Sequence, residues 1–291
     1  MREKDDFQNW LLLGLLTLIW GTSYILIKKA LIVFNPIQVT AMRISLSFIV
    51  CLPFVPKAIR EIPRAKYLHS AVVGLLGTGI PIILFNVSMT RVNSSVTAII
   101  NSLSPLFTVL TGFLFWQIRT TRIKFIGVLI GLVGAMTLVF GKHGFSLEGD
   151  VLYAILPIIA TFCYGTTSNF VKKHFHSINS LNVTVLSLTA IGPFALVLLL
   201  YSDFGSRLSQ PQAMLSLSSI VLLAIFGTVV GWFIFYRLIQ RKDALFATSV
   251  TYLIPIVAIG WGIADGEGLA VFQLWGLALI LTGVYFVSRL K

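Results

Sequence analysis

The stretches "WGTSYILIKK" (residues 20–29) and "YGTTSNFVKK" (residues 164–173) say nearly the same thing twice. Each places an aromatic residue, Gly-Thr, a small hydroxyl residue and a closing Lys-Lys pair at the end of an apolar run, and the second follows the first at an offset of 144. The doubling extends outward. "RVNSSVTAIINSLSP" (Arg91–Pro105) is answered by "RKDALFATSVTYLIP" (Arg241–Pro255), and Gly77-Thr78 by Gly227-Thr228, both at an offset of 150. Gly127 and Gly134 are answered by Gly276 and Gly283 at 149. The chain of 291 residues reads as a tandem repeat, 1–143 and then 144–291, with the extra residues of the second copy around Asp203 to Gln212.

Composition places the repeat in a membrane. Apolar residues make up 57% of the chain and charged residues 11%, against about 25% charged in soluble domains. The mean hydropathy is +0.93. The acidic residues sit at the N-terminus or between apolar runs. A net charge of +12 would suit nucleic acid, but no Lys/Arg block with interleaved aromatics occurs, and cytoplasmic loops of membrane proteins collect such cations. No nucleic-acid partner is expected. Cys51 and Cys163 fall inside apolar runs without CxxC spacing and read as packing residues. The run from Trp10 to Ile27 is too long for a signal-peptide core and reads as the first membrane helix.

A helix needs about 20 apolar residues to cross the hydrocarbon core. Such runs occur at 9–28, 37–56, 69–90, 96–116, 123–141, 150–171, 181–201, 215–236, 246–263 and 270–289. With a cytoplasmic N-terminus, 16 of the 22 Lys and Arg residues fall in cytoplasmic segments and 5 in outer ones, and Arg43 lies within a span. That bias predicts both termini in the cytoplasm. Five spans per copy is an odd number, so the second copy enters the bilayer from the opposite side. The expected fold is an all-α membrane protein of ten transmembrane helices, arranged as two inverted five-helix repeats around a central cavity. Inverted repeats are the building plan of many secondary transporters.

With "WGTSYILIKK", "TRVNSSVTAIINSLSPLFTVLTG" and "GVLIGLVGAMTLVFGK" each carrying a copy in the second half, the sequence resembles the ten-helix EamA-type branch of the drug/metabolite transporter superfamily over essentially its whole length. The resemblance implies a basket of helices around a cavity and the movement of small metabolites, often amino acids or related amphiphiles. The small multidrug resistance proteins, which look related to each half, carry an essential Glu three residues before the Gly of their G-T-[ST] stretch. Here Leu18 and Phe162 stand there, so that carboxylate chemistry does not transfer. The EamA pattern often ends its fourth span with Glu; this chain has Gln117 there and Glu267 at the matching place of the second half.

Arg43 is the ionisable group inside a span, which marks it as a candidate site residue; snorkelling or capping of carbonyls is its structural alternative. Pro81, Pro105, Pro157 and Pro255 are expected helix breaks, and breaks near the midplane point to transporter sites. Trp20, Tyr24, Asn86, Asn101, Ser102, Tyr164, Asn169, Trp232 and Tyr252 cluster near them as expected substrate-binding residues, since apolar pockets with a few convergent polar groups suit small molecules. Tyr236 and Trp261 also lie near these breaks, and Tyr236 fits an interfacial aromatic belt. The cavity walls are expected from spans 1, 3, 4, 6, 8 and 9. The glycines of spans 5 and 10 read as packing faces.

No catalytic residues are expected, because no nucleophile–base pair, HExxH or GxSxG occurs. No cofactor is expected either. "HFH" (174–176) lacks a third ligand for a metal, and no GxxxxGK[ST] loop serves ATP. The function expected is a secondary transporter in the cell membrane that exports a small amphiphilic metabolite by alternating access. A channel-like pore or lipid scramblase on the same fold is the alternative, and an intramembrane enzyme is the weaker one. The partners expected are the small-molecule substrate and the lipid bilayer, with the oligomeric state open between monomer and dimer.

Overall fold

A computed structural model of the chain describes residues 2–92, 94–143, 151–264 and 271–289. They form helices throughout, with no strand among them. In chain order these are α1 (Arg2–Ala30), α2 (Pro36–Glu61), α3 (Arg64–Ser88), α4 (Ser94–Asn101), α5 (Ser104–Trp116), α6 (Arg122–His143), α7 (Val151–His174), α8 (Ser180–Leu200), α9 (Ala213–Arg241), α10 (Ala244–Thr248), α11 (Val250–Ala264) and α12 (Val271–Arg289). Six helical runs are long and apolar enough to cross a bilayer, in α1, α2, α3, α7, α8 and α9. Shorter apolar pieces run over Ser104–Trp116, Ala244–Val257 and Ala278–Val287. The expected boundary between halves, after residue 143, borders residues 144–150, which lie outside the described residues, as does Glu267 within 265–270.

The helix ends follow from local chemistry. α2 starts at a capping box: Asn35 Oδ1 accepts from Gln38 N at 2.9 Å and Asn35 N donates to Gln38 Oε1 at 3.0 Å, with Pro36 at the first helical position, where no N–H is needed. Asp243 caps α10 by accepting from Phe246 N at 2.7 Å.

Breaks in regularity sit at the repeated words. α3 widens into a π-helical turn over Leu75–Gly79, where Ile80 N donates to Leu75 O. α9 does the same over Leu223–Val230, where Gly231 N donates to Phe226 O. Both turns hold the doubled Gly-Thr. Pro81 lies two residues past the first turn, and Pro105 stands in the first turn of α5, after the interruption at Ser102 and Leu103. Two expected breaks differ. α7 runs unbroken through Pro157. The second-half interruption falls at Ser249, six residues before Pro255, which lies inside α11. A proline removes one ladder bond, and the helix resumes where its neighbours hold it in line.

Close backbone approach explains several glycines. A Cβ on Gly134 would lie 2.7 Å from Ile280 N and 2.9 Å from Gly276 O, and one on Gly283 would lie 2.5 Å from Gly131 N. α6 and α12 thus meet backbone to backbone, as small-residue faces allow. The glycines of the opening words serve likewise. A Cβ on Gly21 would strike Val257 Cβ at 2.5 Å, and one on Gly165 would lie 2.7 Å from the Phe107 carbonyl carbon.

Candidate functional site

A cavity of about 730 Å³, mouth included, opens between the helices of the two halves. Trp20, Tyr24, Arg43, Asn86, Asn101, Tyr164 and Trp232 line it. The lining thus comes from α1, α3, α4, α5, α7, α9, α10 and α11, which make up spans 1, 3, 4, 6, 8 and 9 of the sequence reading, and from α2, which supplies Arg43. Ser102, Asn169 and Tyr252 are not in the lining. Ser102 Oγ donates to Thr251 O at 3.2 Å, and Asn169 Nδ2 to Thr108 O at 2.7 Å and Thr111 Oγ1 at 3.1 Å. Tyr252 Oη donates to Val128 O at 2.8 Å. These three polar groups join helices rather than face the cavity. Trp261 is exposed, its Nε1 donating to Thr22 Oγ1 at 3.2 Å. Tyr236 is fully buried, not interfacial, and stacks on Trp232 at 5.4 Å because α9 continues past it for another turn.

The apolar wall is a run of touching rings. Phe85 stacks on Tyr164 at 5.9 Å, Tyr164 meets Trp232 at 5.6 Å, Trp232 meets Trp20 at 5.3 Å, and Trp20 meets Phe235 at 5.2 Å. Trp20 is held in place by its Nε1, which donates to Gly227 O at 3.1 Å.

The polar part of the lining comes from Ser23, Tyr24, Arg43 and Asn86 on α1–α3 and from Asn101, Ser104, Thr248 and Thr251 on α4, α5, α10 and α11. Arg43 is buried; its Nε donates to Thr228 Oγ1 at 2.7 Å and its Nη2 to Gly227 O at 3.3 Å. Thr228 Oγ1 donates in turn to Leu223 O at 3.0 Å, a five-residue step that the π-helical turn makes available. Asn86 Nδ2 donates to Thr40 Oγ1 at 2.9 Å. Thr40 Oγ1 itself donates to Pro36 O at 2.7 Å, so it must accept from the amide, and this sets which way Asn86 is turned. Asn86 Oδ1 is buried without a partner. Asn101 Oδ1 accepts from Ser104 Oγ at 3.3 Å.

Residue-by-residue reading of the sequence passes over Phe85, Phe235, Thr251, Ser23 and Thr248, which also line the cavity. The signal for two of them lies in the repeat. Thr251 stands 150 residues after Asn101, and Phe235 stands 150 after Phe85.

At the end of the bundle holding the start of α1, the helices are tied by polar contacts. Lys172 Nζ donates to Ile239 O at 3.0 Å, Gln240 O at 3.4 Å and Lys242 O at 2.9 Å, satisfying carbonyls at the C-terminus of α9. Gln240 Nε2 donates to Phe175 O at 2.9 Å and Ile178 O at 2.8 Å. Lys124 pairs with Asp243 at 2.8 Å, and Lys242 pairs with Asp6.

Comparison with known proteins assigns this architecture. The chain is 23% identical over 97% of its length to an uncharacterized transporter of Archaeoglobus fulgidus, covering 99% of that protein. It is 26% identical over 94% of its length to the uncharacterized inner membrane transporter YedA of Escherichia coli K12, covering 88% of it. A crystal structure of a protein at 17% identity superposes with a TM-score of 0.70, covering 97% of this chain and 96% of that one. The model of the EamA-like transporter family matches twice, over residues 8–140 and 151–289. The chain belongs to the EamA-like transporter family, and it is a multi-pass membrane transporter, not an enzyme.

Proposed function

We propose that this transporter works by alternating access between two inverted five-helix halves, 1–143 and 144–291. Ten helices cross the cell membrane with both termini in the cytoplasm, and a small amphiphilic metabolite leaves the cell. The observation that carries the reading is the lining of the cavity. Trp20 and Tyr164 line it as counterparts at the offset of 144, and Ile82/Trp232, Phe85/Phe235, Asn101/Thr251 and Ser104/Ile254 as counterparts at 150. A site on a pseudo-symmetry axis takes equivalent residues from both halves, which is what exchange of roles between repeats requires.

Packing supports the same symmetry. α1 lies against α11 as α7 lies against α5, and α1 against α9 as α7 against α3. Gly21 abuts Val257 where Gly165 abuts Phe107, and Val257 follows Phe107 by 150. The two ends of the bundle are unlike. Lys172 caps α9, whereas its counterpart Lys28 is exposed and makes no hydrogen bond among the described residues. On the alternating-access reading, Lys28 takes up the matching carbonyls of Met89, Thr90 and Val92 when the other end closes.

Counterflow in proteoliposomes tests the proposal. Preloaded substrate should drive saturable uptake of labelled substrate against its gradient, drawn from a panel of amino acids, organic acids and organic cations. Flux that neither saturates nor shows counterflow would make the protein a pore or a scramblase.

A further inference from the structure

Arg43 is the charged residue of the cavity lining, and no acidic group among the described residues pairs with it. It is 7% exposed. Its two bonds go to a hydroxyl and a peptide carbonyl, both neutral. The acidic groups that pair among the described residues are Glu61, Asp243 and Asp6, and their partners are Lys57, Lys124 and Lys242. A guanidinium stays protonated in proteins and carries five N–H donors. Two are spent, which leaves the rest without a protein acceptor among the described residues. A buried cation at membrane depth without a counter-ion is unfavourable unless an anion joins it. Asn86 adds a second unmet requirement, because its Oδ1 is a buried acceptor with no donor.

We infer that the cavity takes an organic monoanion: a carboxylate for Arg43 on an apolar or aromatic body that lies along the rings, without a compensating ammonium group. This rests on the reading of the cavity as the substrate site. Thr228 Oγ1 and Gly227 O hold the guanidinium in place, so it can meet a carboxylate without reorganising, and charge-assisted hydrogen bonds of this kind are the strong ones. The same lining offers no carboxylate to an ammonium. A zwitterion or a cation would therefore bring a positive charge beside Arg43 and find no acid to balance it. A hydroxyl or amide N–H on the anion's body would serve Asn86 Oδ1.

The test uses the purified full chain and matched ligands. 3-phenylpropionate, its amide, phenylalanine and 3-phenylpropylamine share one body and differ in charge; octanoate, octanamide and octylamine repeat the series on an alkyl body. Binding is read by quenching of tryptophan fluorescence and by thermal shift. At least one carboxylate should bind ten times or more tighter than its amide, and tighter than its ammonium or zwitterionic relative. Arg43→Gln should remove the difference between acid and amide while leaving the amide's affinity within about twofold. If Arg43→Gln does not fold, Arg43→Lys, which keeps the charge, should retain the preference for the acid. Equal binding of acid and amide, preference for an ammonium, or no binding by either anion at millimolar concentration overturns the inference. Binding of the anion without counterflow would leave the charge assignment standing and refute alternating access. Counterflow of a cation would do the reverse.

Discussion

Arg43 Nε donates to Thr228 Oγ1 at 2.7 Å, joining residues 185 apart in sequence and in opposite halves of the chain. The bond exists because α9 widens to a π-helical turn at Thr228, whose hydroxyl reaches back to Leu223 O and leaves an oxygen lone pair toward α2. Thr228→Val keeps the shape and removes the acceptor. A hydrogen bond to a charged group contributes about 1.5–3 kcal/mol, so thermal unfolding in detergent should move down accordingly, and affinity for the carboxylate probe should fall about tenfold, or roughly 1.4 kcal/mol.

Trp20→Ala and Asn101→Ala should each weaken transport of the true substrate about tenfold with near-normal yield of folded protein, since one lost contact corresponds to roughly 1.4 kcal/mol. Tyr252→Phe should behave oppositely. Its hydroxyl bonds Val128 O away from the cavity, so it should cost about 1 kcal/mol of stability and leave the apparent KM unchanged. Transport assays paired with thermal unfolding separate the two outcomes.

Gly283→Val should abolish folded protein, judged by monodispersity on size-exclusion chromatography. Its Cβ would meet the backbone of Gly131 at 2.5 Å and of Gly127 at 2.7 Å, and neither can yield. Gly14→Val is the control, because a Cβ there meets nothing within 4 Å.

Lys172→Met should release the α9 carbonyls and raise the labelling rate of a cysteine placed at buried Val171, in a background lacking Cys51 and Cys163. A several-fold rise is expected. Lys28→Met should leave that rate unchanged and slow turnover instead. Unchanged labelling in Lys172→Met would refute the exchange of lysine caps between the two ends.

Single-cysteine labelling should find position 60 on the cytoplasmic side and position 142 outside. An outward-facing position 60 would remove the basis for the inverted topology.

The amino-acid sequence by itself determined that the chain is helical and membrane-embedded, because apolar runs of span length with few charges have no other stable arrangement. The doubled words around Trp20 and Tyr164, and around Asn101 and Thr251, made the repeat legible, and with it most of the cavity wall. The sequence could not rank polar residues within a span. Asn101 and Asn169 look alike in it, yet one lines the cavity and the other ties α7 to α5. Which way a side chain points depends on helix rotation, and rotation is decided by contacts such as Gly165 against Phe107, made between residues far apart in the chain. The role of Arg43 was likewise undecided between snorkelling and the site. Only the tertiary structure placed Thr228 and Gly227 against it, and their neutral oxygens position the charge without cancelling it.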